Sequence, residues 1–181
     1  GGEQWLTVPV LRNFPQLIKD VCINNVTDWR ASHWKAITYN YQKSGYLEKY
    51  KTLFENIYMN RWEKLRDLNI EFIRAICLCL GLKKKFMYSS ELAATGEKVE
   101  RLINICKKVN ADTYLSPAGS YDYIEENNMF KDSGINLIYH DYSFSTYRQL
   151  YGEFISHLSV IDLLFNEGDK ALEVIRSNRK N

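Results

Sequence analysis

Residues 86–115 read FMYSSELAATGEKVERLINICKKVNADTYL, and the class of the fold turns on them. Phe86-Met87-Tyr88 is a short apolar, aromatic run of the kind that forms a strand. Thr95 then stands as a candidate N-cap ahead of Val99, Leu102, Ile103 and Cys106, whose spacing by three and four places them on one helix face. Thr113-Tyr114-Leu115 closes the stretch as a second strand. Strand, helix, strand in this order is a βαβ unit, which implies a parallel pair joined by a right-handed crossover. A short helix over 120–127, then Gly134 and a strand over 135–139, continue the alternation. The expectation is an α/β fold with a mostly parallel sheet and βαβ units in the second half.

Upstream the pattern is different. Trp5-Leu6-Thr7-Val8-Pro9-Val10 reads as a buried strand and Val21-Cys22-Ile23 as a second one. Asp28 is a good N-cap for a helix running through Trp29, Ala31, His33, Ile37 and Tyr41 towards Gly45. Leu47, Tyr50, Leu53, Phe54 and Ile57 mark the apolar face of the next helix. The period restarts at Trp62, Leu65, Leu68, Phe72, Ile76 and Leu80 and stops at Gly81. The middle of the chain is therefore a helical block of two to three helices. Near the end, Ser159 and Asp162 have capping-box spacing with Asp in place of Glu, and Gly168 is the stop. With 181 residues and no linker or repeat, the whole of 1–181 is expected to form one domain.

Composition removes several functions. A net charge of +2 with no basic stripe argues against nucleic acid and against a charged membrane surface. Lys83-Lys84-Lys85 reads as a solvated turn. The four cysteines, Cys22, Cys77, Cys79 and Cys106, sit in apolar patterns without a CxxC pair or paired histidines, so reduced thiols are expected and no metal. No apolar run approaches the roughly 20 residues of a membrane span, and no signal peptide opens the chain, which points to the cytoplasm. No cofactor fingerprint is complete, so no cofactor is expected.

Three groups of residues could carry chemistry. Leu115-Ser116-Pro117-Ala118-Gly119-Ser120-Tyr121-Asp122-Tyr123 runs from a strand end through a small polar loop into a helix, the place where open α/β sheets bind ligands. Backbone N–H groups there, with the hydroxyls of Ser116 and Ser120, could hold a phosphate or carboxylate. An ordinary βα turn with Ser120 as N-cap explains the same residues. Arg30 and His33 lie three apart at the start of a helix, so one anion could meet both, and His33 titrates near neutrality as a general base must. A histidine satisfied by its neighbours is the plainer account. Tyr139-His140-Asp141-Tyr142, followed by Tyr147 and Gln149, is a polar aromatic strip able to line a sugar or nucleotide pocket with the Ser116 loop, although thirteen tyrosines dilute that signal. Glu71, Glu91 and Glu153 are isolated carboxylates.

Taken together, Gln4-Trp5-Leu6-Thr7-Val8-Pro9-Val10, His33-Trp34-Lys35, Ala111-Asp112-Thr113-Tyr114-Leu115-Ser116, and Leu158-Ser159-Val160-Ile161-Asp162-Leu163-Leu164-Phe165-Asn166 with Gly168 resemble the WbqC-like family of bacterial proteins. The resemblance spans essentially the whole chain. Members usually begin with a further segment carrying His-Gln-Pro and an aromatic-Pro pair, so the chain is expected to be N-terminally incomplete. The family's turn after Ser116 is also more glycine-rich than Ser116-Pro117-Ala118-Gly119. The family's association with O-antigen and other surface-polysaccharide gene clusters implies an enzyme acting on a nucleotide-linked sugar, by acyl or aminoacyl transfer to a sugar amine. His33 would then be the base, with Asp162 beside it in the catalytic centre. Arg30, Ser116, Gly119, Ser120 and Tyr123 would hold an anionic donor or nucleotide, while Tyr147 and Asn166 would contact the substrate. Capping and internal hydrogen bonding are the plainer roles for Asp162 and Asn166. The competing expectation is a non-catalytic protein that binds a sugar nucleotide or assembles with a polysaccharide enzyme. Whether it forms a homo-oligomer stays open.

Overall fold

The computed structural model describes residues 2–125 and 128–178, with the Glu125 side chain left aside. Helix and sheet are mixed, and the chain divides into two compact units, each with its own core. The first comprises the described residues up to Lys83 together with Phe144–Asn178, and the second is Lys84–Ser143.

In the first unit, Asp28 accepts from the Ala31 amide at 3.3 Å and starts α1, Trp29–Tyr41, as its sequence position predicts. Helices α2 (Leu47–Met59) and α3 (Leu65–Cys79) follow. The apolar faces converge on Phe54, which stacks on Phe72 and meets Phe165 edge-on. Phe54 and Phe165 have almost no exposure, and truncating a buried Phe costs roughly 3–5 kcal/mol, so this ring cluster anchors the unit.

The expected first strands do not form. Val10 and Ile23 share one isolated antiparallel bridge, and Cys22 pairs in the same way with Lys64. Leu6 and Val8 pack on the core, but Trp5 is 89% exposed, so the segment covers the helices with alternate residues only.

In the second unit the βαβ assignment shifts along the chain. Residues 86–88 have no strand partner, with Phe86 and Met87 partly exposed. The parallel pair is instead β1, Thr113–Pro117, with β2, Asn136–His140, in the register Leu115↔Ile138. Between α3 and β1 lies α4, Lys98–Lys108, which buries Val99, Ile103 and Cys106. Its N-cap is Glu97 rather than Thr95, whose carbonyl accepts from Asn104 at 3.1 Å. Two short helices connect the strands: α5 (Tyr121–Glu125) and α6 (Met129–Ser133). The last two positions of the helix expected over 120–127 lie outside the described residues. Among the described residues the sheet has two strands, so the larger parallel sheet is not present there.

The chain ends in α7, Val160–Glu167, and α8, Ala171–Ser177, which belong to the first unit. Gly168 has φ 56° and ψ −121°, and the Tyr46 ring occupies the space a Cβ would need. Only glycine satisfies both conditions. The Tyr46 amide donates to the Phe165 carbonyl at 3.1 Å, fixing that ring over the glycine.

Candidate functional site

Helix α7 begins at Ser159, whose hydroxyl accepts from the Ile161 amide at 3.5 Å. The Asp162 amide donates to the Ser159 carbonyl at 2.9 Å, but its carboxylate takes no part in that cap. One turn along, its carboxylate turns inward, where the residue is only 4% exposed. An isolated buried carboxylate is costly, so every lone pair needs a donor. Four are supplied. Tyr41 Oη donates to Oδ1 at 2.8 Å and Asn166 Nδ2 to the same oxygen at 3.2 Å. Tyr147 Oη donates to Oδ2 at 2.6 Å and Gln149 Nε2 to it at 3.0 Å.

The four donors come from α1, α7 and the stretch before α7, so the carboxylate ties three pieces of chain together. Burial and the neighbouring carboxylate both push the Tyr41 and Tyr147 hydroxyls well above the ordinary phenol range. These hydroxyls are held as donors. Gln149 also clamps its own loop, because its amide N–H donates to the Ile155 carbonyl at 2.9 Å and its Oε1 accepts from the Ile155 amide at 2.8 Å. A side-chain amide thus imitates backbone and closes the loop between residues 149 and 155.

That closed loop forms one wall of a cleft of about 520 Å³, inside the roughly 300–1,000 Å³ range of small-molecule sites. Asn40 and Tyr41 from α1, Asp162 with Ser159 from α7, Tyr151 and Glu153 from the loop, and Gln4 give it polar and aromatic character. Tyr151 is half exposed. None of the described residues lining the cleft is lysine, arginine or histidine.

His33 is elsewhere. It is buried, with its ring edge-on to Trp29 at 5.2 Å and to Tyr58 at 6.0 Å. Burial lowers its pKa, and a hydrogen bond to the Thr7 backbone opposes this in part. Burial also pushes Tyr58 up to about 12. Arg30 does not join His33 on a shared anion: it reaches the Asn60 carbonyl at 3.5 Å and Asp28 at 3.7 Å. These are positions of a satisfied core imidazole and a partly shielded surface cation.

The Ser116 loop belongs to the second unit. Ser116 is wholly buried, its hydroxyl 2.6 Å from that of Ser120, which donates in turn to the Pro117 carbonyl at 2.6 Å. The Ser120 hydroxyl is therefore spent on the Pro117 carbonyl and that of Ser116 on Ser120. Gly119 has open space where a Cβ would stand, so no close backbone approach depends on it. Tyr123 is half exposed. The aromatic strip is also divided: Tyr139, His140 and Tyr142 lie in the second unit, with Tyr139 tilted against Tyr121 at 5.0 Å and His140 stacked on Tyr142 at 5.6 Å, whereas Tyr147 and Gln149 lie in the first.

The profile of the WbqC-like protein family matches residues 1–174. The chain belongs to that family. A relative, the uncharacterized protein Rv1507c of Mycobacterium tuberculosis, is 33% identical over 183 residues, covering 99% of this chain and 78% of its own length. No solved structure gives a significant match. Of the residues that carry the family resemblance, Asp162 and Asn166 meet at the buried carboxylate, and Gly168 ends the same helix.

Sequence reasoning missed Tyr41 and Gln149 as partners of Asp162. Tyr41 was legible only as a residue of the helix face. Nothing local to residue 162 points 121 positions back. Among the described residues no group of three or more His, Cys, Asp or Glu side chains could hold a metal ion, and no helix is long and apolar enough to cross a membrane. All four cysteines are free, with Cys106 buried and the others half-buried.

Proposed function

We propose that this protein acts in the biosynthesis of an O-antigen or other surface polysaccharide, and that the Asp162 cleft receives the sugar of a nucleotide-linked substrate. The observation that supports this reading is the chemistry of the cleft wall. Amide, hydroxyl and carboxylate groups surround a half-exposed tyrosine ring, with no cation among the described lining residues. Sugar hydroxyls require both donors and acceptors, and the apolar face of a pyranose suits an aromatic ring such as Tyr151. A phosphate would want arginine, lysine or a row of N–H groups instead. The sugar therefore belongs in this cleft, with the nucleotide outside it.

A transfer reaction is favoured by Glu153, an exposed carboxylate of the cleft wall. As base it would take a proton from the sugar amine while nitrogen bonds to the carbonyl carbon of an acyl or aminoacyl donor and the donor's leaving group departs. Glu153 suits this role better than His33, which is buried among rings, or Asp162, whose oxygens already accept four hydrogen bonds. Asp162, Tyr147 and Asn166 instead fix the shape of the site. The second reading, binding without catalysis, is favoured by the burial of His33.

Thermal-shift measurements with nucleotide sugars, the matching free sugars and the matching free nucleotides test the proposal. A hundredfold excess over the dissociation constant stabilises the folded protein by about 2.7 kcal/mol. Sugars and nucleotide sugars should raise Tm, free nucleotides should not, and Tyr151→Ala should abolish the shift. Glu153→Gln should retain binding and lose turnover; turnover unchanged in that variant would favour another base, and no shift with any sugar would remove the sugar reading.

A further inference from the structure

A second cavity of about 200 Å³ adjoins the polar cleft, and its lining is of the opposite kind. Trp34, Phe54, Tyr58, Phe72, Ile76 and Phe165 surround it. The two spaces share Ile37, Ser159 and Ile161. Protein interiors normally close-pack, with few voids larger than a water molecule, so open space against the most buried rings of a core is a departure. Its lining is mainly apolar: the Trp34 indole N–H is turned to Glu55 Oε1 at 3.0 Å and is not aimed into the cavity, and the lining residues with hydroxyls are Tyr58 and Ser159. Apolar cavities of roughly 150 Å³ accept benzene, so this one admits a group of at least that bulk.

We infer that the ligand of this protein is amphiphilic: a sugar whose polar part lies in the Asp162 cleft and which carries an apolar substituent, of the kind of a short acyl chain, in the Trp34–Phe165 pocket. This rests on the sugar reading of the cleft and adds the substituent. The shared border at Ile37 and Ile161 argues for one occupant of both spaces, since a substituent leaving a sugar on that side meets the pocket directly. Ser159 lies on the same border and could accept or donate to the polar linkage between the two parts.

Isothermal titration with N-acetyl, N-butanoyl and N-hexanoyl derivatives of glucosamine and galactosamine tests it, on the wild-type chain and on Ile76→Trp, which fills the pocket. Affinity should rise about fourfold per added methylene until the pocket is full, as burial of each CH₂ requires. In Ile76→Trp the rise should vanish while the N-acetyl sugars bind as before. Measurable binding of the N-acetyl sugars with no dependence on chain length in the wild type overturns the substituent and leaves the sugar reading intact. Because Ile76→Trp could disturb folding, 1-hexanol alone gives a second arm, read from the NMR resonance of the Trp34 indole N–H. Movement of that resonance by hexanol supports the pocket, and no movement counts against it. A hexanol response combined with no binding by any of these sugars sustains the pocket and removes the sugar.

Discussion

In the first unit the buried carboxylate of Asp162 is met by donors from positions 41, 147, 149 and 166, whereas in the second the buried hydroxyl of Ser116 is met by Ser120, four residues away. Both arrangements obey the rule that buried polar groups find partners. They differ in where the partners come from. A local pair can form within its own turn and spends its two hydroxyls there. A carboxylate served from three stretches of chain exists only when those stretches are assembled, and their meeting creates a cleft wall. A polar loop with the look of a binding motif is thus the self-contained one, and an aspartate with the look of a cap is the organising one.

Removing the two hubs sharpens that contrast most. Asp162→Ala leaves two tyrosine hydroxyls and two amides without their acceptor, and should cost roughly 3 kcal/mol or more in urea unfolding. Ser116→Ala breaks one local bond and should cost about 1 kcal/mol. Equal costs would mean that the long-range network is no stronger than the turn.

Gly168→Ala should come next, at about 2 kcal/mol, from collision with the Tyr46 ring added to an unfavourable backbone. Adding Tyr46→Ala should recover the steric part. If the double variant shows no recovery, the backbone conformation alone accounts for the glycine.

The alkaline limb tests the Asp162 network by titration. Tyr41 and Tyr147 have folded pKa values raised above the unfolded value of about 10. Their contribution to stability is present below about pH 10 and is lost as pH rises, because the unfolded state releases its protons first. Tyr41→Phe should flatten the slope above pH 10 in pH-dependent urea midpoints, and an unchanged slope would remove Tyr41 from the network.

The smallest effect belongs to His33. Its folded pKa is lowered, so its contribution is present above the unfolded value of about 6.5 and is lost as pH falls below it. His33→Phe should reduce the acid-side slope below pH 6.5. A slope equal to wild type would place the sensitivity in other groups.

Much of the local structure was readable from residue order. Asp28, the apolar period through Leu47 and Phe54, and the strand signals at Thr113 and Ile135 stand within a residue or two of the observed elements. Phe86-Met87-Tyr88 failed because an apolar triplet makes a strand only when a partner edge is available, and pairing is a long-range matter. The Asp162 site was half legible: Asp162 and Asn166 stood in the motif that carries the family resemblance and Tyr147 in the polar aromatic strip, while Tyr41 and the Gln149 clamp as partners of Asp162 were not.

Sequence alone pointed to the family, the helical block, the Asp28 cap and the glycine that ends α7, because capping, periodicity and backbone freedom act over a few residues. Tertiary structure decided which polar groups face a cleft and which are spent on one another. That choice depends on donors brought from up to 121 positions away, and no local pattern encodes their meeting.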